Sequence, residues 1–250
     1  GAAPAIQPDL ALPAMKRLLE WFAPTRKSTL SSEQRARCAA LPAPRTADAC
    51  PLHAQRLVVL DLETTGLNVN RDHVLSIGAL AIEDGCIDLG SQYEATLQGD
   101  HKVSESILIH GLAPSTIAAG LDPAQALLDF LDFLGDSPVI GYHAPFDQRM
   151  LSRALQSTLG YTLRHRFFDL AEVAPMLCPQ AAIHKGGLDA WVEFFGLEVL
   201  ARHSASADAL VTAELALILF SKARQQGIDS LARLDDRLSS WRSRQNSHAF

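Results

Sequence analysis

LVVLDLETTGL, at residues 57–67, changes from apolar to acidic to small side chains within eleven positions. Its nearly continuous apolar, β-branched start is typical of a strand that is buried on both faces. Because side chains alternate along a strand, Asp61 and Glu63 point to the same face, about 6–7 Å apart. Two like charges beside a hydrophobic core repel each other and resist desolvation, so this pair needs a cation or a proton close by.

The segments on the C-terminal side of this strand alternate between strand and helix patterns. Residues 73–84 and 86–97 predict two strands joined by a hairpin at the EDG turn. Two shorter strands are predicted within 137–143 and 166–171, each followed by a segment with helical spacing. Early strands followed by alternating helices and strands indicate an α/β layer fold with a mixed sheet.

Residues 122–135 predict a helix with defined ends. Asp122 can cap the first turn, Pro123 occupies the first helical position, and Gly135 follows the last apolar residue. These start and stop signals agree with one another, so the helix is expected to begin and end at these residues.

Composition divides the chain into three parts. At 250 residues, with 48% hydrophobic and 20% charged residues, the chain is long enough for one main core with extensions. We predict an N-terminal helical extension and linker over 1–55, a main domain over 56–222 and a C-terminal helical extension over 223–250. The amphipathic patch AMKRLLEWFA, at residues 14–23, could pack on its own domain or dock onto a partner protein.

Charge and hydropathy exclude some classes of function. A net charge of −6 argues against a general nucleic-acid coat, although it permits a local basic track. The longest apolar runs are too short to cross a bilayer, and the first residues lack the basic start of a secretory signal, so no membrane partner and a cytoplasmic location are expected. The four cysteines are widely spaced, which predicts reduced, mostly buried thiols and no zinc site: Cys38, Cys50, Cys86 and Cys178.

Two further acids occupy settings comparable to that of the strand pair. Asp147 lies in the first turn of a predicted helix after a short strand, and Asp208 lies early in another helix. Acidic residues in first turns are common because they complement the helix dipole, so each of them alone is better explained as a capping charge than as a metal ligand.

Three motifs, taken in order, resemble the DEDDh family of 3′–5′ exonucleases. They are DLETTGL at 61–67, FDQRML at 146–151 and HSASADA at 203–209, with IHGLAPSTI at 109–117 between the first two. The family includes the proofreading epsilon subunit of bacterial DNA polymerase III and belongs to the ribonuclease H-like exonuclease superfamily. The resemblance covers about residues 56–222, and it implies a ribonuclease H-like mixed five-stranded sheet flanked by helices.

The resemblance implies a two-metal phosphodiester hydrolase with two divalent cations, Mg²⁺ or Mn²⁺, which prefer hard oxygen ligands. It implies that Asp61 bridges both ions and that Glu63 and Asp208 hold the ion that activates water. Asp147 would support the second ion directly or through water. His203 would be the general base, and a surface histidine before a helix is the alternative explanation for it.

Contacts to the 3′-terminal nucleotide are implied by the same resemblance. Small residues would let a sugar-phosphate approach, and an aromatic ring would wall a base or sugar. The alternatives are an ordinary loop after a strand, core packing for the phenylalanine, and a turn cap for the first histidine. The implied contact residues are Leu62, Thr64, Thr65, Gly66, His110, Tyr142 and Phe146.

The second motif departs from the family pattern in its first two positions. Many relatives have His and Asn where this chain has Tyr142 and His143. Tyr142 could take over hydrogen bonding near the terminal nucleotide, and the substrate preference could differ. The departure leaves base and sugar selectivity open, but not the metal site.

Basic residues flank the candidate site and could follow a phosphate backbone, although arginines on solvated helix faces are common. These are Arg149, Arg153, Arg164, His165 and Arg166. The C-terminal segment RLSSWRSRQNSHAF could bind nucleic acid or a partner, or be an untethered tail. It contains Arg237, Trp241, Arg242 and Arg244.

The sequence therefore predicts an exonuclease that acts on single-stranded DNA or short oligonucleotides and releases nucleoside 5′-monophosphates from the 3′ end. One alternative is a 3′–5′ exoribonuclease or oligoribonuclease, because the family tolerates either sugar. Another alternative is a non-catalytic nucleic-acid-binding subunit of a polymerase or repair complex. The expected partners are single-stranded DNA or RNA 3′ ends, with a polymerase or repair protein as a further candidate.

Overall fold

One mixed five-stranded sheet organises the protein. The computed structural model describes residues 30–99, 111–183, 187–199 and 204–247. The strands are β1 (Leu57–Thr64), β2 (Val74–Glu83), β3 (Cys86–Thr96), β4 (Val139–Gly141) and β5 (Phe167–Asp169). Their order is β3-β2-β1-β4-β5; β1, β2 and β3 are antiparallel neighbours, whereas β4 runs parallel to both β1 and β5. The predicted α/β fold with a mixed five-stranded sheet is confirmed.

Helices cover both faces of this sheet. In chain order the described helices are α1 (Ser32–Ala40), α2 (Pro114–Ala118), α3 (Pro123–Leu134), α4 (Ala144–Leu159), α5 (Leu170–Leu177), α6 (Leu188–Phe195), α7 (Ala205–Gln225) and α8 (Leu231–Ser247). The predicted ends of α3 are confirmed, because the Asp122 carboxylate accepts the Gln125 N–H at 3.0 Å and Gly135 ends the helix at a φ of +56°.

The predicted hairpin is also confirmed. Asp84 and Gly85 form the turn between β2 and β3 with φ angles of +50° and +73°. Two consecutive positive φ angles give a two-residue turn the twist that adjacent strands need, and Asp-Gly is a preferred pair for it.

The alternation of β1 splits the core into two clusters. Val58 and Leu60 face the cluster formed with α3 and α4, whereas Leu57 and Val59 face the cluster formed with α5, α7 and α8. The strand is thus buried on both faces, as its apolar run predicts. Asp61 continues the second of these faces toward the end of the strand.

Two described helices that lie outside residues 56–222 in sequence contact the rest of the fold. On α1, Arg37 pairs with Asp129 of α3 at 2.7 Å and also with Asp132. On α8, Leu231, Leu234 and Leu238 are buried in the cluster that contains α7, so this helix shares the core and is not an untethered tail. The amphipathic patch at 14–23 lies outside the described residues.

Cysteines and hydropathy give two further results. All four cysteines are free, as predicted. The expectation that they are mostly buried is wrong, because Cys178 alone is buried, whereas Cys86 begins the edge strand β3 and is exposed.

Across the ranges that the structure describes, each helix is too short or too polar to span a bilayer.

Candidate active site

The site begins at the end of β1. Asp61 and Glu63 lie on one face and are half-buried, while Leu62 between them is buried in the opposite core cluster. Asp61 pairs across the sheet with Gly78, and Glu63 pairs with Ser76. The two carboxylates therefore leave the sheet side by side, as strand alternation predicts.

A glycine in β2 lets a helix approach these carboxylates. A Cβ atom placed on Gly78 would lie 2.1 Å from the backbone carbonyl carbon of Ala205 and 2.3 Å from the backbone nitrogen of Ser206. The first turn of α7 thus rests directly on the strand residue that pairs with Asp61. Because Asp208 lies in that first turn, the close contact brings its carboxylate to the same face of the sheet.

Three carboxylates converge at this point. One ligand oxygen from each of Asp61, Glu63 and Asp208 lies within 4.8 Å of the other two, and all three side chains are half-buried. Burial, followed by the neighbouring Asp208 charge, raises the pKa of Glu63 to about 7. Three hard oxygen donors that repel one another fit Mg²⁺ or Mn²⁺, which such donors bind well.

Asp147 lies beside this cluster on a separate helix. It is 6% exposed, in the first turn of α4, and accepts backbone hydrogen bonds that include one from Leu62. Burial raises its pKa to about 8, with further contributions from the Asp169 and Glu63 charges. Asp147 is outside the set of three oxygens within 4.8 Å, but its carboxylate interacts electrostatically with Glu63.

Asp169 is a buried carboxylate that the sequence interpretation did not select. It ends β5, is 7% exposed, and accepts the Ala171 N–H at 3.0 Å as the N-cap of α5. It also accepts a backbone hydrogen bond from Ala144, the first residue of α4. One carboxylate thus joins the starts of two helices and orients the turn that carries Asp147. The signal in the sequence was an Asp directly before an apolar helical segment.

These raised pKa values predict a pH dependence of stability in the metal-free protein. The carboxyl groups of Glu63 and Asp147 titrate near 4 in an unfolded chain, but at about 7 and about 8 in the fold. The folded state then binds more protons, so the stability that these groups contribute is full below about pH 4 and is lost as the pH rises to about 8. Urea unfolding in EDTA is expected to show this loss between pH 5 and 8, and added Mg²⁺ should reverse it.

Two variants test the origin of that slope. Asp147→Asn should flatten the profile, because an amide does not titrate, whereas Glu193→Gln on the exposed side of α6 should leave it unchanged. Parallel pH profiles for the wild type and Asp147→Asn would contradict the assignment.

Hydrogen bonds within the loop after β1 fix its conformation. The Thr64 hydroxyl donates to the Gly66 carbonyl at 2.9 Å, and the Thr65 hydroxyl lies 3.1 Å from a carboxylate oxygen of Asp72 and accepts the His73 N–H at 2.9 Å. A Cβ on Gly66 would lie 2.6 Å from an Asp72 oxygen, so a larger residue at this position would require the Asp72 side chain to move. The threonine hydroxyls are thus engaged within the loop.

Tyr142 follows β4, and Phe146 lies in the first turn of α4, directly before Asp147. Tyr142 is half-buried; burial and then the Asp169 charge raise its pKa to about 12, although a hydrogen bond with Trp191 lowers it. Its ring meets that of His143 edge-on at 4.8 Å, and His143 has a φ of +58°. Among non-glycine residues, His is one of the few that adopt this left-handed conformation relatively often. Phe146 is half-buried against the cluster of α3 and α4.

Two predicted site residues, His110 and His203, lie outside the described residues. Ser204, the next residue after His203, is the N-cap of α7 and accepts the Ala207 N–H at 3.4 Å.

The predicted basic track divides into two groups. His165 is buried with Nε2 2.8 Å from the Gly135 carbonyl, and Arg166 pairs with Asp235, so both serve the fold. Arg149 and Arg153 instead lie on the outer side of α4.

The predicted basic residues of the C-terminal segment lie on α8. Arg242 pairs with Glu172 on α5, and Trp241 packs on the core. Arg237 and Arg244 are exposed.

Comparisons with known proteins agree with this arrangement. The family model RNase_T, described as an exonuclease, matches residues 58–216. A DNA polymerase III of the PolC type from Thermotoga maritima is 30% identical over 179 residues, which are 71% of this chain and 13% of that protein. The DNA polymerase III subunit epsilon of Aquifex aeolicus is 26% identical over 159 residues, 63% of this chain and 77% of that subunit. This chain thus spans about one eighth of the PolC-type relatives.

Solved structures show the same fold. Exonuclease I of E. coli in complex with a dT13 oligonucleotide aligns with a TM-score of 0.57 at 17% identity, over 69% of this chain and 42% of that one. Exonuclease I from Methylocaldum szegediense gives 0.56 at 19% identity, over 67% of this chain and 41% of that one. The predicted ribonuclease H-like fold is confirmed.

Proposed function

This chain belongs to the exonuclease family, and we propose that it is a metal-dependent 3′–5′ exonuclease that releases nucleoside 5′-monophosphates from single-stranded DNA or short oligonucleotides. The observation that carries the proposal is the convergence of Asp61, Glu63 and Asp208, with ligand oxygens within 4.8 Å of one another. Carboxylates brought together from a strand and a distant helix are costly without a cation. A metal-dependent phosphodiester hydrolase explains why the fold retains them.

Each carboxylate has a role in this proposal. Asp61, Glu63 and Asp208 would hold one divalent cation, and Asp61 with Asp147 would support a second. When bound, such cations lower the pKa of water and stabilise the negative charge of an in-line displacement at phosphorus. His203, which directly precedes the N-cap of the helix that carries Asp208, would accept the proton of the attacking water as the general base.

The terminal nucleotide would lie between the loop after β1 and the β4–α4 connection. The Thr64 and Thr65 hydroxyls form hydrogen bonds within the loop itself. The loop would therefore contact the nucleotide through its preformed backbone surface and not through these hydroxyls. Phe146 and Tyr142 would wall the base and sugar from the other side. The residues proposed to contact the nucleotide are Leu62, Thr64, Thr65, Gly66, His110, Tyr142 and Phe146.

Metal removal tests the proposal directly. The full chain is incubated with a 5′-labelled single-stranded 20-mer and Mn²⁺ or Mg²⁺, and the products are resolved on a denaturing gel. We expect a ladder that shortens from the 3′ end and disappears in EDTA, because the carboxylates alone repel the phosphate. Full-length substrate in the presence of both metals would refute the exonuclease activity.

The same assay separates the alternatives. An RNA strand of identical sequence, run in parallel, distinguishes a deoxyribonuclease from an exoribonuclease or oligoribonuclease. Binding of either strand without shortening would favour a non-catalytic nucleic-acid-binding subunit.

A polymerase or repair partner and a cytoplasmic location are further proposals. The partner is supported by relatives that are named as polymerase III proteins, and the location by four free cysteines, which are typical of reducing compartments. Light scattering of the full chain with and without residues 1–29 measures whether that segment drives self-association.

A further inference from the structure

A groove of about 590 Å³ lies between the loop after β1 and the outer side of α4. We call it the cationic groove. Its polar lining includes Asn70, Gln148, Arg149, Arg153, Gln156 and Thr162.

The elements that line the cationic groove also carry parts of the candidate site. Gln148 and Arg149 directly follow Asp147 in α4, and Asn70 belongs to the loop that continues from Gly66. Arg149 and Arg153 are one helical turn apart on the same side of α4, about 6 Å from each other. α4 and the loop after β1 thus extend from the candidate site to the groove.

The described lining of the groove carries positive charge without a carboxylate. Within the part of the chain that the structure describes, six other arginines pair with carboxylates: Arg37, Arg45, Arg56, Arg166, Arg233 and Arg242. Arg149 instead donates from Nε to the Pro145 carbonyl of its own helix at 3.0 Å. The described residues that line the groove include no carboxylate, and Arg153 forms no ion pair with any carboxylate in the described ranges.

This composition selects the kind of ligand. In a protein of net charge −6, uncompensated guanidinium groups in one groove favour a polyanion. Guanidinium groups bind phosphate oxygens with two parallel hydrogen bonds. The amide side chains of Gln148 and Gln156 can form hydrogen bonds with sugars and bases, whatever the base sequence.

We propose that the cationic groove carries the phosphodiester backbone of the single-stranded polynucleotide on the 5′ side of the nucleotide that is removed. This inference rests on the proposed function, because it places the strand relative to the carboxylate site. Arg149 and Arg153 contact backbone phosphates and hold the strand between successive cleavages.

Direct binding tests the groove independently of catalysis. Fluorescence anisotropy measures the affinity of the full chain for a 5′-fluorescein 20-mer in EDTA at several salt concentrations. The double variant Arg149→Gln/Arg153→Gln is expected to bind about tenfold or more weakly, with a salt slope smaller by about 1.4 for two lost phosphate contacts. The double Lys variant should retain most of the affinity, because it keeps both charges.

Arg224→Gln is the matched control. Arg224 lies sixteen residues after Asp208 on α7, about 24 Å along the helix axis, and loses the same charge. Its affinity should equal that of the wild type. Wild-type affinity and salt slope in the double Gln variant would overturn the groove assignment.

Hydrolysis separates this inference from the proposed function. The 20-mer fills the groove, whereas the p-nitrophenyl ester of thymidine 5′-monophosphate reaches only the carboxylate site. The double Gln variant should raise the KM for the 20-mer far more than that for the ester. If the wild type cleaves neither substrate while the variant still loses affinity, the proposed function fails and the groove stands. If cleavage occurs and the variant treats the 20-mer as the wild type does, the groove fails and the function stands.

Discussion

Replacing Asp61 by Asn should abolish hydrolysis while making the metal-free protein more stable. Asp61 belongs to the carboxylate cluster with Glu63 and Asp208, and in the proposed function it supports both cations. A bound metal stabilises the transition state by several kcal/mol. Without this stabilisation, kcat is expected to fall by about a thousandfold or more. In EDTA the same change removes one of three repelling charges, and each kcal/mol gained raises the Tm by about 2–4 °C.

The opposite signs of these two effects make the prediction specific. Activity is measured on the labelled 20-mer with Mn²⁺, and the Tm by circular dichroism in EDTA. Glu94→Gln is the matched control, because Glu94 pairs with Gly78 on the next strand, is exposed, and lies outside the cluster. An Asp61→Asn variant that is both inactive and less stable would indicate a structural carboxylate and contradict the metal-site assignment.

Replacing Gly78 by Ala should damage both the fold and the site. The new Cβ would lie 2.1 Å from the Ala205 carbonyl carbon, whereas nonbonded carbons need about 3.5–4.0 Å. The obstacle is helix backbone, so the first turn of α7 must move away from β2. Overpacking of this kind costs about 1–3 kcal/mol, and a 1 Å displacement of Asp208 can cost about a hundredfold in rate.

Urea unfolding and the oligonucleotide assay measure the two effects. Gly90→Ala on β3 is the control, because its nearest neighbour is the Asp88 side chain at 3.2 Å, which can move. If the Gly78→Ala protein is unstable at the assay temperature, hydrolysis is measured at lower temperature, where the folded fraction is verified by circular dichroism. Wild-type stability and rate in this variant would show that the contact between α7 and β2 does not position Asp208.

The sequence by itself determined the features that depend on neighbours within a few residues. The alternation of β1 placed Asp61 and Glu63 on one face, Asp84 and Gly85 specified the hairpin, and Asp122 fixed the start of α3. Each of these follows from side-chain direction, turn conformation or a cap, and these act locally along the chain.

The family resemblance grouped the distant acids, but only the tertiary structure shows which contacts bring them together. Asp208 reaches Asp61 because Gly78 lacks a side chain and lets the backbone of α7 touch the sheet, a contact between segments more than 120 residues apart. Asp147 is oriented by Asp169, since the parallel pairing of β4 with β5 places that carboxylate at the start of α4. No local pattern reports such proximity, because it depends on strand order and on close packing across the core.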